Sequence, residues 1–130
     1  MENFNLILPE IFLSLCIFST LLIGVFFKNS YNLVTNLTYI IIVSLLLIIF
    51  NSFSESGKLF SNSFVTNSFT NFFKILILLG TLFVMLITQK FIKEMKINYF
   101  EYPLLLLFSI LGMFFMISSN DLMSFYLGLE

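Results

Sequence analysis

The sequence predicts an all-α, polytopic membrane bundle, with four complete transmembrane helices and the start of a fifth. Three observations carry this. Apolar residues make up 59% of the 130 residues and charged residues 10%, against about 25% charged in an ordinary soluble domain. Mean hydropathy is +1.06. The apolar residues also fall into long runs separated by short polar turns, and the longer runs are sufficient to cross a hydrocarbon core about 30 Å thick. Inside a bilayer each backbone N–H and C=O must be paired within its own segment, so such runs are read as helices. No alternating strand pattern and no internal repeat is present. The whole chain, residues 1–130, reads as a single membrane domain fragment.

The first helix is expected over residues 6–27. Cys16, Thr20 and Gly24 recur every four residues along it, which makes one face small enough for a neighbouring helix to approach closely. Cys16 is read as a small packing residue. Glu10 follows Pro9 at the helix start, where an acid complements the positive end of the helix dipole. Lys28 and the polar segment 29–36 end this helix. The second helix is expected over 37–53. It is apolar on all sides, so it is expected to face mostly lipid. Residues 51–71, rich in Ser and Asn, read as an exposed loop with partly anchored aromatics.

The third helix is expected over 72–89, with Lys74 in its first turn reaching back to the membrane interface. Lys90, Lys93 and Lys96 follow in a basic loop, read as a topology signal. The fourth helix is expected over 102–118, with Pro103 in the first turn where its missing N–H is tolerated. Ser109, Gly112, Met116 and Ser119 form a packing stripe on it. Ser119, Asn120 or Asp121 can cap the fifth helix, begun over 121–130. Ser124 and Gly128 give that helix a small face, with Glu130 in line with Met123 and Tyr126.

Lysine placement orients the chain. Lys28, Lys90, Lys93 and Lys96 share one side, and Lys58 and Lys74 the other. The N-terminus and the 51–71 loop are therefore expected outside, and the 29–36 and 90–101 loops inside.

Glu130 is the candidate functional residue. At about 1.5 Å rise per residue it lies roughly 14 Å beyond Asp121, near the middle of the bilayer core. Ionisable side chains at that depth mark proton or ion pathways by default. A helix stopping there leaves carbonyls unsatisfied in hydrocarbon, so a further chain or segment is expected to continue it. No His or Arg is present and the only Cys is Cys16. Zinc sites, haem ligation, iron–sulfur clusters and catalytic triads are therefore not expected within the chain. The net charge of −1 offers no surface for nucleic acid.

The chain also carries a family resemblance. It rests mainly on Glu101-Tyr102-Pro103, Leu111-Gly112-Met113-Phe114-Phe115 and Ser118-Ser119-Asn120-Asp121, running on through Ser124-Phe125-Tyr126-Leu127-Gly128-Leu129-Glu130. Leu8-Pro9-Glu10 and Phe72-Phe73-Lys74 agree with it. Together these blocks resemble subunit 2 of respiratory complex I, the NADH-ubiquinone oxidoreductase of mitochondria, which is similar to the bacterial N subunit. The resemblance implies an antiporter-like subunit of the membrane arm that takes part in redox-driven proton translocation, with the family's fifth-helix glutamate at Glu130. The lysine paired with that glutamate lies on a later helix of the family. NADH, FMN, iron–sulfur clusters and ubiquinone are implied to belong to other subunits. The implied partners are other membrane-arm subunits and lipid, and the implied location is the mitochondrial inner membrane or, alternatively, the bacterial plasma membrane. Two other classes share these features: a subunit of a cation/proton antiporter complex, and a structural accessory membrane subunit.

Overall fold

Pro9 sits in the first turn of the first helix, where its lack of an N–H leaves no intrahelical bond unmade. In the computed structural model, which describes residues 2–59, 61–96 and 99–130, a short 3-10 turn over Glu2–Ile7 leads into helix α1, Leu8–Phe26. Helix α2 follows over Tyr31–Asn51, α3 over Ser68–Glu94, α4 over Glu101–Ser118 and α5 over Leu122–Leu129. Four of these, α1 to α4, are long and apolar enough to span a membrane.

Helix α2 begins six residues before the expected start (residue 31 against 37). Tyr31, Val34 and Thr35 are buried there, and Thr35 Oγ1 donates to the Tyr31 carbonyl at 2.7 Å. Back-bonding of this kind lets Thr sit in a helix without exposing an unpaired hydroxyl. Helix α3 is longer at both ends than the expected 72–89. Asn67 and Thr70 form a reciprocal capping box at its start, with Thr70 Oγ1 accepting from the Asn67 N–H at 2.8 Å. Its 27 residues make a rod of about 40 Å, so its last turns, with Lys90 and Lys93, extend past the hydrocarbon core. The expected inner loop over 90–101 includes residues 97 and 98, which lie outside the described residues.

The segment between α2 and α3 is not an irregular loop. Strands β1, Gly57–Leu59, and β2, Phe64–Thr66, pair antiparallel with Gly57 opposite Thr66 and Leu59 opposite Phe64. Ser61 and Asn62 turn the hairpin with φ of 55° and 69°. No strand of consequence is expected from the sequence, and these two three-residue strands are the sheet among the described residues. Phe64 and Thr66 alternate on one side of β2 and are buried, so the hairpin is folded down onto the bundle. Its backbone is tied to α4 by a bridge from Phe64 to Ser119. Asn120 adds two bonds, its N–H to the Ser63 carbonyl at 2.9 Å and its side-chain amide to the Asn62 carbonyl at 2.9 Å.

The helices run up and down, α1 packing on α2 and α4, α3 on α2 and α4, and α2 on α4. Helices α2 and α4 thus lie between α1 and α3. The core forms where they meet, from Leu13, Ile17, Ile42, Leu45, Leu78, Leu107, Ile110 and Phe114. The small face of α1 is packed: Thr20 and Gly24 are buried, and a Cβ on Gly24 would come within 2.3 Å of the Phe100 ring. The outer faces carry Leu15, Phe18, Leu22, Leu47, Phe83 and Leu105, all exposed, as lipid-facing surfaces require.

Helix α2, expected to lie mostly in lipid, leaves Ile40, Val43, Leu47 and Phe50 exposed and turns its other side into the bundle. It packs on three helices and buries the largest share of any spanning helix, 39% of its apolar window. An all-apolar helix has no polar face to mark its outside, because lipid is as apolar as the core.

Candidate functional site

Two ionisable positions stand out, one inside the bundle and one in an open cleft. The first is a pair that the structure brings together from residues 64 apart in sequence. Glu10 is the third residue of α1 and Lys74 the seventh of α3. Both helices enter the bundle from the hairpin side, so both side chains lie at similar depth. Lys74 shares the buried stripe of α3 with Asn71, Leu78, Thr81 and Met85. Its Nζ donates to Glu10 Oε1, with both side chains almost entirely removed from solvent. The rings of Phe64, from the hairpin, and Phe114, from α4, each lie 5.6 Å from the ammonium, within range of cation–π attraction.

This corrects the expectation that Lys74 reaches to the interface. The hairpin covers the entry end of α3, and a carboxylate is waiting across the bundle, so the ammonium turns inward. Glu10 likewise does more than complement a helix dipole. With Lys74 buried, Lys58 remains as the exposed lysine on the hairpin side against Lys28, Lys90, Lys93 and Lys96 on the other. That sharpens the charge asymmetry used to orient the chain.

The pair is not fully satisfied. Glu10 Oε2, Thr66 Oγ1 and Ser118 Oγ are buried with no hydrogen-bond partner among the described residues. A buried polar atom left unpaired costs about 1–3 kcal/mol, more when charged. A buried ion pair also gains little net stability over apolar residues of equal volume. The cluster is therefore a poor brace. No group of three or more His, Cys, Asp or Glu suited to a metal occurs among the described residues.

The second position is Glu130. Helix α5 folds back along α4, and the contact is built on two glycines. A Cβ on Gly112 would lie 2.8 Å from the Gly128 carbonyl oxygen, and one on Gly128 would lie 2.9 Å from the Met116 nitrogen. The small stripe of α4 and the small face of α5, each read from the sequence as a packing surface, thus meet one another. Asp121 occupies the N-cap position of α5 without a side-chain capping bond, and Asn120 is occupied by the hairpin. Glu130 is exposed and lines an open cleft with Ser109, Gly112, Met113 and Met116 of α4. Ser109 is the middle of the 18-residue α4, so Glu130 stands level with the centre of a spanning helix.

The cleft around Glu130 is walled by α4 and not by Met123 and Tyr126 as the helical stripe suggested. Among the described residues its carboxylate has no salt bridge or hydrogen bond. Lys74 and Glu130 are kept apart: Phe114, beside Lys74, is two residues from Gly112 and so about 200° around α4 from it.

The fold and these positions define a polytopic membrane helix bundle with the Glu10–Lys74 pair held inside it. No family model matches the chain. It is 49% identical over its full length to NADH-quinone oxidoreductase subunit N of Pelagibacter ubique, covering 28% of that protein. The subunit N of Bartonella bacilliformis is 40% identical over 96% of the chain and 26% of that protein, and that of Gluconacetobacter diazotrophicus 38% over 98% and 27%. The chain is homologous from end to end to part of NADH-quinone oxidoreductase subunit N, and spans about a quarter of the length of these relatives.

Proposed function

We propose that the chain is the N-terminal part of a membrane-arm subunit of a proton-translocating NADH-quinone oxidoreductase, and that Glu130 is its proton-carrying residue. The observation that supports this best is the 49% identity along the full chain to a protein named as subunit N of that enzyme. The reading assigns no redox step to this chain: NADH, FMN, iron–sulfur clusters and quinone belong to other subunits. The bacterial relatives favour a bacterial plasma membrane over the mitochondrial inner membrane, and other membrane-arm subunits are the partners.

In this reading Glu130 loads a proton at mid-membrane and a lysine from a part of the subunit outside these residues sets its affinity. At an effective dielectric near 20, an ammonium about 4 Å away contributes roughly 4 kcal/mol. The test is Glu130→Gln in the assembled enzyme, with electron transfer to quinone and proton release measured together. Fewer protons per electron, or a joint slowing of both, is expected. Normal turnover with normal pumping contradicts the role, and is the outcome a structural accessory subunit gives.

A further inference from the structure

We propose that Glu10, Lys74, Thr66 and Ser118 form a buried water-binding site open to exchange from the hairpin side of the membrane, and not a dry ion pair. Three orphaned atoms carry this: Glu10 Oε2, Thr66 Oγ1 and Ser118 Oγ. Their elements meet: Phe64 of β2 bridges to Ser119, the neighbour of Ser118. Thr66 lies two residues from Phe64 on the same side of β2, and Ser118 one turn from Phe114 on the same face of α4. The Phe64 and Phe114 rings bracket Lys74, each 5.6 Å from its Nζ, so both hydroxyls belong to the strand side and helix face that border the ion pair.

Buried water typically makes about three hydrogen bonds to otherwise unsatisfied groups. One or two molecules therefore satisfy a carboxylate oxygen and two hydroxyls that helix and hairpin geometry cannot pair. The route in is through the hairpin. Phe64 also lines an open cleft with Ser63, Ser119 and Ser124, so one residue borders both that cleft and the ammonium. This inference holds whether or not the subunit translocates protons.

The experiment is X-ray radiolysis of the membrane-embedded protein in oxygen-18 water, with uptake of label at each side chain read by mass spectrometry. Phe114 is fully buried and is labelled only if water sits beside it. Rapid labelling of Phe114 is expected, while Ile110 and Leu107, deeper on the same helix face, stay unlabelled. Thr66→Val with Ser118→Ala is expected to reduce labelling at Phe114 several-fold, and Thr66→Ser to keep it. Uptake at Phe114 no faster than at Ile110 and Leu107 in the unaltered protein overturns the proposal. So does undiminished uptake in the Thr66→Val/Ser118→Ala variant.

Discussion

Lys74→Met isolates the energetics of the buried pair. Met matches the length and volume of the lysine stem, so packing against Phe64 and Phe114 is largely preserved, while the charge is removed. Glu10 is then left with a buried carboxylate, its side chain 1% exposed, and no counter-charge. Breaking one partner of a buried pair costs about 3–5 kcal/mol. Glu10→Gln in the Lys74→Met background removes the stranded charge. Replacing a whole buried pair is often neutral or stabilising, so most of the loss is expected to return. The assay is retention of folded protein after graded heating in native membranes, read by gel filtration of the detergent extract. The single variant is expected to lose its folded state at a clearly lower temperature, and the double variant to recover. A single variant as stable as the unaltered protein, or a double variant no better than the single, refutes the reasoning. Either result means the pair carries no buried, mutually dependent charge.

Gly128→Leu is expected to detach α5 from α4, because even a Cβ there meets the Met116 nitrogen at 2.9 Å and the Gly112 carbonyl oxygen at 3.1 Å; cross-linking between cysteines at Ser109 and Leu129 reads the separation. Asn71→Ala removes amide bonds to the Ser52 and Phe53 carbonyls at 3.2 and 3.3 Å. The Ser52 carbonyl keeps the Glu55 N–H at 3.1 Å while that of Phe53 loses its amide donor, so a loss of about 1 kcal/mol is expected, read in the same heating assay. Cysteines introduced at Lys58 and Lys93 are expected to react with impermeant reagents from opposite sides of the membrane, Lys58→Cys from outside; labelling of Lys58→Cys from inside reverses the orientation.

The bundle was legible in the sequence because apolar runs of spanning length permit little except helices. The small faces of α4 and α5 were legible for a related reason, since glycine and serine spaced at three and four leave a groove that another backbone fills; that the two faces pack on each other was not. The hairpin was not legible, since its strands are three residues each and are held by contacts to Leu6, Ser119 and Asn120 rather than by strand propensity. The Glu10–Lys74 pair was missed because each residue has an adequate local explanation, one as a helix-dipole acid and the other as an interfacial lysine. One signal was available. Both lie within the first two turns of spanning helices that start on the same side, so they share a depth and carry opposite charge. Which helices stand close enough to join them depends on packing, and all-apolar faces such as that of α2 do not encode it. Glu130 was placed at mid-depth by counting from the polar turn at Asn120 and Asp121, and its position level with Ser109 agrees with that count.

We propose that this chain works inside a redox-driven proton pump. The most direct measurement is purification of the tagged protein from its native membrane under mild detergent, with the associated subunits identified and NADH-to-quinone activity assayed. The account predicts co-purification with flavin- and iron–sulfur-bearing subunits in fixed proportion, with that activity present. Recovery with antiporter subunits alone, lacking flavin and iron–sulfur clusters and NADH oxidation, contradicts it.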